Sequence, residues 1–363
     1  MKSLINKNIL KIKPYIPGKP IEEVRRELEI KGPVIKLASN ENPLPPSNRV
    51  IAAIKRNLKS LNRYPDGGCF YLKKTLARKF RLKPENIIVG NGSDELVVLA
   101  LRAFASPNDE AVIAKPTFLV YEIASAVQGL KIRAAPVNKL RYDLKRMAGL
   151  VNEKTKIIFI ANPDNPCGSY VTKDELDLFL KEIGGNTIIF IDEAYYDFAK
   201  DCKDYPNSLK YLNKKNIIVT RTFSKVYSLA GLRIGYGLAK EELIEAMNKV
   251  KEPFNVNSLA QAGALAALED AKFINKSLNI IRIGKEYLYR SLETLGYEYA
   301  KTATNFILVN LKRDSEVIYR RLLKKGVIVR EMSPWGLRGY IRVTVGTMSE
   351  NRRFIRALRE VRD

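Results

Sequence analysis

The run TIIFID, residues 187–192, joins four consecutive apolar residues to a terminal aspartate. A strand with one face in water alternates apolar and polar residues, so this run is typical of a strand that is buried on both faces. Similar β-branched runs recur along the chain: NIIVG (86–90), EAVIA (110–114), KIIFIA (156–161), NIIVT (216–220) and RIGYGLA (233–239). They predict a mainly parallel sheet that is covered by helices.

Helical patterns alternate with these runs between about residues 47 and 270. The spans are 48–60, 68–81, 93–105, 117–128, 172–183 and 240–251. Strands that alternate with helices predict an α/β fold, here a three-layer α/β/α domain.

The same patterns divide the chain into three parts. Residues 1–45 are punctuated by Pro and Gly and predict an N-terminal arm, and residues 46–270 predict the large domain. Residues 271–363 predict a smaller α+β domain, because a long helical stretch (about 257–295) is followed by shorter strands and a final helix.

Composition limits the possible functions. The 363 residues carry 63 Lys and Arg against 39 Asp and Glu, a formal net charge of +24. Basic residues occur singly or in pairs and alternate with acids, as in KEELIEAMNKVKE (240–252). This dispersal favours a solvated basic surface over a nucleic-acid partner, and the charge also suits an anionic small-molecule substrate.

One residue type and two kinds of segment are missing from the sequence. It has no histidine, which excludes Ser-His and Cys-His nucleophile pairs, and no apolar stretch approaches the ~18 residues of a membrane span. The N-terminus lacks the apolar core of a signal peptide, and the cysteines are three and widely spaced. We therefore expect a cytoplasmic protein with no membrane contact and no metal site.

Polar residues follow four of the predicted strands. Asp192 ends one of them, and Thr222, Ser224, Lys225 and Arg233 follow another. Two hydroxyls and a guanidinium suit a phosphate monoester, and a lysine whose pKa falls on burial can act as a nucleophile.

The other two strand ends carry GNGSDE (90–95) and NPDNPCG (162–168). Glycines before a helix N-terminus favour a phosphate, although an ordinary turn with Ser93 as helix cap also fits. The second loop is rich in side-chain amides, and a plain Asx/Pro turn is its alternative. In an α/β sheet all four ends face one ligand site, and together they suit pyridoxal phosphate.

The order and spacing of the motifs resemble the fold-type-I, pyridoxal-phosphate-dependent aminotransferases, and most closely their histidinol-phosphate subfamily. The resemblance covers nearly the whole chain. Its motifs are PYIPGKP (14–20), KLASNENP (36–43), RYPDGG (63–68), GNGSDE, NPDNPCG, IDEAYYDF (191–198), TFSKVYSLAGLRIGY (222–236), GVIVREM (326–332) and YIRVTVGT (340–347).

The resemblance implies a role for each matching residue. Lys225 would form the Schiff base and transfer the proton between the substrate's Cα and the cofactor. Asp192 would keep the pyridine nitrogen protonated. Tyr195 and Asn165 would form hydrogen bonds with the ring's 3-oxygen. Phe118 would stack on the ring. The cofactor's phosphate would be bound by Gly92, Ser93, Asp94, Thr222, Ser224 and Arg233.

The resemblance also implies the substrate set and the assembly. Tyr15, Asn40, Asn165, Arg330 and Arg342 would bind the substrate, and Tyr64 would reach the neighbouring subunit's site in a homodimer. The implied reaction is ping-pong amino transfer between histidinol phosphate and 2-oxoglutarate. An aromatic amino acid aminotransferase and a threonine-phosphate decarboxylase are the alternatives on the same fold.

Two residues depart from the family pattern. Asp164 and Cys167 stand where Asn and Thr are usual. Neither is expected to carry the chemistry, so the departure concerns the packing of the loop.

Overall fold

The computed structural model describes residues 4–10 and 12–362. Residues 1–3 and 11 of the predicted arm, and residue 363 of the predicted smaller domain, lie outside the described residues. Within the described ranges no helix is both long and apolar enough to cross a membrane.

The helices, in chain order, are α1 (Ile21–Leu28), α2 (Asn48–Asn57), α3 (Phe70–Phe80), α4 (Ser93–Phe104), α5 (Leu119–Val127), α6 (Leu144–Ala148), α7 (Lys173–Glu182), α8 (Tyr196–Ala199), α9 (Glu241–Lys249), α10 (Ser258–Leu268), α11 (Ala271–Thr294), α12 (Ser315–Lys324) and α13 (Met348–Glu360). The strands are β1 (Ile35–Lys36), β2 (Ile87–Gly90), β3 (Glu110–Lys115), β4 (Lys131–Pro136), β5 (Thr155–Ala161), β6 (Ile188–Asp192), β7 (Ile217–Thr222), β8 (Gly235–Ala239), β9 (Glu298–Tyr299), β10 (Phe306–Asn310), β11 (Val327–Ile328), β12 (Arg330–Glu331) and β13 (Tyr340–Thr344).

Side-chain caps fix several of the helix starts. Thr172 and Glu175 form a capping box at α7, and Thr347 and Glu350 form one at α13. Each pair satisfies backbone N–H groups that would otherwise lack a partner at a helix start.

The larger sheet has the order β2-β8-β7-β6-β5-β3-β4, and β8 alone runs against the rest. The predicted mainly parallel sheet and α/β class are therefore confirmed. Every residue of β2, β6, β7 and β8 is buried, as expected for strands between two helix layers. In the register, Asp192 lies opposite Ala161 on one side and Thr220 on the other.

The sequence patterns missed one strand of the larger sheet, as well as the two-residue strands β1 and β9, and misjudged several ends. Edge strand β4 was not predicted, because KIRAAP mixes charged and small residues and most of it stays accessible to water. Strand β7 continues to Thr222, two residues beyond the predicted end, and β8 begins at Gly235 rather than at residue 233. The helices predicted from residues 68 and 117 begin at Phe70 and Leu119.

The smaller sheet has the order β12-β13-β10-β9 and is antiparallel. It packs on α11, α12 and α13 through a second apolar cluster that includes Leu288, Leu322 and Phe354. The two-residue strand β1 pairs in parallel with β11, which joins the N-terminal segment to this part of the molecule. These features support the three-part division of the chain, which stays a proposal.

Candidate active site

The carboxyl ends of β2, β5, β6 and β7 surround a cavity of about 370 Å³ that β12, β13 and the N-terminal segment close from the other side. Fourteen of the sixteen predicted site residues line it. They are Tyr15, Asn40, Ser93, Asp94, Phe118, Asn165, Asp192, Tyr195, Thr222, Ser224, Lys225, Arg233, Arg330 and Arg342. Gly92 and Tyr64 do not line it.

Lys225 lies three residues after the end of β7 and lines this cavity. Burial, and then the positive charge of Arg342, lower its pKa to about 8, although Asp94 and Glu41 act in the opposite direction. Its Nζ lies 5.5 Å from the ring centroid of Tyr195. A lysine with this pKa carries a useful fraction of free amine near neutral pH, which a nucleophile requires.

Asp192 ends β6 and is buried. Its carboxylate accepts hydrogen bonds from Tyr121 Oη at 2.7 Å and from the backbone N–H of Ala194 at 3.0 Å. Burial raises its pKa to about 6, and no ion pair among the described residues includes it. A buried carboxylate that faces a cavity without a cationic partner suits a ligand that brings a positive charge.

The phenol of Tyr195 lies in a buried polar network. It accepts a hydrogen bond from Asn40 Nδ2 at 2.8 Å, and burial raises its pKa to about 12. Asn40 is held in turn by Thr344, whose hydroxyl donates to Asn40 Oδ1 at 3.2 Å. The network connects the end of β6 with β13 of the smaller sheet.

A set of donors surrounds the N-terminus of α4. The backbone N–H of Ser224 donates to Thr222 Oγ1 at 3.1 Å, and Arg233 Nη2 lies 3.4 Å from Asp94 Oδ2. Gly92 has φ +80°, a backbone conformation that favours glycine, and a Cβ there would lie 2.7 Å from Arg233 Nη2 and displace the guanidinium. Hydroxyls, a guanidinium and a helix N-terminus together suit a phosphate group.

Arg330 and Arg342 lie directly opposite each other on β12 and β13. Only 8% and 4% of their surfaces are exposed. Arg342 donates to the Ala38 carbonyl at 3.0 Å and to Asn165 Oδ1, and Arg330 donates to the Ile16 carbonyl at 2.5 Å. No carboxylate among the described residues pairs with either, and both Nε atoms lack a partner. Like charges placed face to face destabilise a sheet, so this pair suits an anionic ligand.

The sequence reasoning missed two supporting residues. Tyr121 bonds Asp192 and stacks on Phe159 at 4.8 Å, and Asn42 Nδ2 donates to the backbone carbonyls of Lys225 and Val226. An α5 tyrosine three residues after Phe118 is a weak signal, since it reads as an ordinary core aromatic.

Tyr64 lies away from the cavity. Its side chain is 82% exposed and stacks on Phe254 with the ring centroids 4.6 Å apart. Nothing within the described chain places it near Lys225.

The unusual loop residues both have packing roles. Asp164 is buried and accepts hydrogen bonds from Tyr142 Oη at 2.9 Å and from the Cys167 N–H at 3.1 Å. Burial raises its pKa to about 6. Cys167 belongs to an apolar cluster with Leu308, Met332 and Trp335. Tyr142 and Cys167 thus stabilise the loop that carries Asn165.

The fold and the Lys225–Asp192 site define a class of protein. The family model for class I and II aminotransferases matches residues 32–358, and the chain belongs to that family. This confirms the resemblance, the fold class and the enzyme class that the motifs predicted.

Individual relatives narrow the comparison. The histidinol-phosphate aminotransferase of Moorella thermoacetica is 48% identical, over 97% of this chain and 92% of the relative. Histidinol-phosphate aminotransferase 2 of Carboxydothermus hydrogenoformans is 45% identical, over 99% of both chains.

Solved structures are also similar to this chain. The histidinol-phosphate aminotransferase of Sinorhizobium meliloti, in complex with pyridoxal-5'-phosphate, superposes with a TM-score of 0.91 at 27% identity and covers 99% of this chain and 98% of its own. An aspartate aminotransferase of Thermus thermophilus has a TM-score of 0.83 at 20% identity, covers 98% of this chain and 99% of its own, and shows the fold alone.

Proposed function

We propose that this aminotransferase uses pyridoxal phosphate to move an amino group between histidinol phosphate and 2-oxoglutarate in histidine biosynthesis. The observation that carries the proposal is one cavity that holds Lys225, Asp192 and two buried arginines without carboxylate partners. The names of the relatives point to the same substrate.

The residues present fit the cofactor. Asp192 offers an unpaired carboxylate for a protonated ring nitrogen, and Ser93, Thr222, Ser224 and Arg233 offer donors for its phosphate. When bound, pyridoxal phosphate supplies an electron sink that makes a proton on the donor's Cα acidic. We assign Phe118 to the face of its ring, and Tyr195 and Asn165 to its 3-oxygen.

The chain's own residues supply the acid–base chemistry. Lys225 would hold the cofactor through its amine. Once the donor's amino group takes its place on the cofactor, the freed amine of Lys225 would accept the proton from the donor's Cα and return it on the cofactor side. The chain has no histidine, and Lys225 is the lysine that lines the cavity, with a pKa of about 8 near the working range.

The arginine pair determines which substrates the enzyme prefers. A phosphate monoester is doubly charged, and pairs of its oxygen atoms can accept from the paired N–H donors of a guanidinium, so two arginines can neutralise it. A 2-oxo acid ends in a carboxylate that the same pair can bind. We assign Tyr15 and Asn40 to the same substrate end of the cavity.

An amino-donor panel tests the proposal. Purified enzyme with pyridoxal phosphate and 2-oxoglutarate should turn over histidinol phosphate with a higher kcat/KM than phenylalanine, while phosphothreonine should yield no carbon dioxide. Lys225→Ala should abolish turnover. Preference for phenylalanine, or decarboxylation of phosphothreonine, would overturn the substrate assignment in favour of the corresponding alternative.

We also propose a homodimer in which Tyr64 enters the partner's site. An exposed apolar surface around it supports this. It comprises Leu58, Leu61, Tyr64, Phe70, Tyr71 and Phe254, all between 46% and 82% exposed. Neighbouring apolar residues of this size mark an interaction surface.

Mixing two inactive variants tests the shared site. In a hybrid of Lys225→Ala and Tyr64→Ala chains, one site receives Lys225 from one chain and Tyr64 from the other. We expect activity to return when the two are unfolded and refolded together. Hybrid dimers that stay inactive would contradict the shared site, and a monomeric mass by light scattering would contradict the dimer.

We propose a cytoplasmic location, since all three cysteines are free thiols. We also expect no nucleic-acid partner. Cell fractionation and a gel-shift assay at several salt concentrations check these two points.

A further inference from the structure

Trp335 is the chain's single tryptophan, and it packs directly behind the arginine pair. Its ring centroid lies 4.8 Å from Arg330 Cζ and 6.0 Å from Arg342 Cζ. The side chain is 4% exposed and does not itself line the cavity.

The two guanidinium groups need something to offset their mutual repulsion. Carboxylates do not do so, as described above, and aromatic faces take their place. The ring centroid of Tyr15 lies 5.8 Å from Arg330 Cζ, and that of Phe306 lies 5.2 Å from Arg342 Cζ. Of the rings in the described chain, Trp335 is the one within cation–π distance of both arginines, and indole is the strongest partner for such contacts.

The ring is itself fixed in place. Trp335 ends a short turn after β12, where its backbone N–H donates to the Met332 carbonyl at 3.0 Å and Gly336 follows with φ +78°. The indole Nε1 has no hydrogen-bond partner among the described residues, so the ring is held by packing. Its side chain packs against Leu308, Met332 and Cys167. A rigid ring can therefore set where both guanidinium groups lie.

A cation–π contact also leaves the arginine edges free. The ring attracts the face of the guanidinium, while the N–H groups in its plane remain available to oxygen atoms. Both Nε atoms are in fact buried without a partner. A carboxylate in place of the ring would occupy these donors and compete with the ligand.

We propose that Trp335 is a positioning residue that fixes the spacing and orientation of Arg330 and Arg342 and so sets the preference for a phosphate-bearing amino donor. The proposal rests on the proposed function, since it names the residue behind that function's specificity.

The test compares kcat/KM for histidinol phosphate with kcat/KM for histidinol, which lacks the phosphate. We expect the ratio to fall on the order of tenfold in Trp335→Leu, because two cation–π contacts are lost. In Trp335→Phe, which keeps a weaker ring, we expect a fall of about threefold. If Trp335→Leu does not fold, the phenylalanine variant decides the question.

Leu322→Ala is the matched control. Leu322 is fully buried in the second apolar cluster, which does not include Trp335, and no cation–π contact involves it. We expect a lower Tm and an unchanged ratio of the two kcat/KM values. An unchanged ratio in the tryptophan variants, or an equal fall in Leu322→Ala, would overturn the proposal, since a purely structural role affects both donors alike.

The single tryptophan also provides a direct signal. In the holoenzyme, inorganic phosphate that inhibits competitively should change tryptophan emission saturably, and Arg330→Met should remove the change. Emission that ignores inhibitory phosphate would contradict the contact. If the wild type does not prefer histidinol phosphate, the proposed function fails; if it does and Trp335 leaves that preference unchanged, only this inference fails.

Discussion

At the residue scale, the two central ionisable groups are both shifted toward their neutral forms. The pKa of Lys225 falls to about 8 and that of Asp192 rises to about 6, in each case mainly through burial. They belong to separate interactions, since no ion pair joins them. This arrangement leaves the amine free to react and leaves the carboxylate for a cation that arrives with the ligand.

The Lys225 pKa predicts how the unloaded enzyme takes up its cofactor. The rate of covalent capture of pyridoxal phosphate should rise about tenfold from pH 7 to pH 9, as the free-amine fraction grows through a pKa near 8. In Arg342→Met the midpoint should move to higher pH, because a charge that lowers this pKa is gone. Stopped-flow absorbance measures both.

Arg330→Met is the control for this shift. Arg330 is not among the principal groups that lower the pKa of Lys225, so the midpoint of Arg330→Met should stay closer to the wild-type value than that of Arg342→Met. A profile that is flat between pH 7 and pH 9, or a midpoint that moves equally in both variants, contradicts the assignment.

The raised pKa of Asp192 makes a prediction about stability. Its folded-state pKa of about 6 exceeds the ordinary value of 3.8, so the folded protein binds this proton more tightly than the unfolded chain does. Stability is therefore fully present below pH 4 and is lost as pH rises toward 6. At pH 7 the loss is about 3 kcal/mol, from a shift of about two pKa units.

Asp192→Asn removes that loss, and the amide can still accept from the Ala194 N–H and donate to Tyr121 Oη. The unloaded variant should be more stable than the wild type at pH 7 by about 1–3 kcal/mol, with the gain vanishing near pH 4. Urea unfolding at both pH values measures it. A variant that is less stable at pH 7 contradicts the burial argument.

At the element scale, a buried ion pair joins the two strands that carry these groups. Glu193 directly follows β6 and accepts from Arg221 of β7, at 2.7 Å from Nη2 and 2.8 Å from Nε. Arg221 also lies 3.4 Å from the ring centroid of Tyr196. Both residues are adjacent in sequence to site residues, Asp192 and Thr222, so the pair fixes the strands at the edge where the cavity begins.

Breaking this pair should destabilise the protein strongly. Glu193→Leu or Arg221→Met alone leaves an uncompensated buried charge, so each should lower the free energy of unfolding by about 3–5 kcal/mol. The double variant should lose much less than the sum, because neither charge remains. Denaturant midpoints for the four proteins give the coupling. Additive losses would show that the two side chains act independently.

Which features of the site can be predicted from the sequence depends on how far apart in the chain the interacting residues lie. Buried parallel strands that end in Asp192 or precede Lys225 are visible locally, because their apolar runs and polar ends lie within a few residues. The placement of Arg330 opposite Arg342 cannot be predicted from the local sequence, because it depends on the register of β12 against β13 across a turn. Trp335, Tyr121 and Asn42 act from other elements, and only the packed chain brings them to the site.

At the scale of the whole molecule, two sheets with separate apolar cores meet at one cavity. The larger sheet provides Lys225, Asp192 and the phosphate donors, while the smaller sheet provides the arginine pair. Arg330 and Arg342 thus add two buried positive charges on the side of the smaller sheet, in a chain that carries a net +24. Both the local and the overall charge attract an anion.

This charge predicts a salt dependence that differs between donors. The potential of a basic molecule raises the encounter rate and local concentration of an anionic substrate, and salt screens it over a Debye length of about 8 Å at physiological ionic strength. Raising potassium chloride should therefore lower kcat/KM for histidinol phosphate several-fold. Histidinol, which carries no phosphate, should show no such fall, and steady-state rates at fixed pH compare the two. An equal fractional fall of kcat/KM for both donors would mean that salt acts on the protein itself and that the protein's positive field does not guide the substrate.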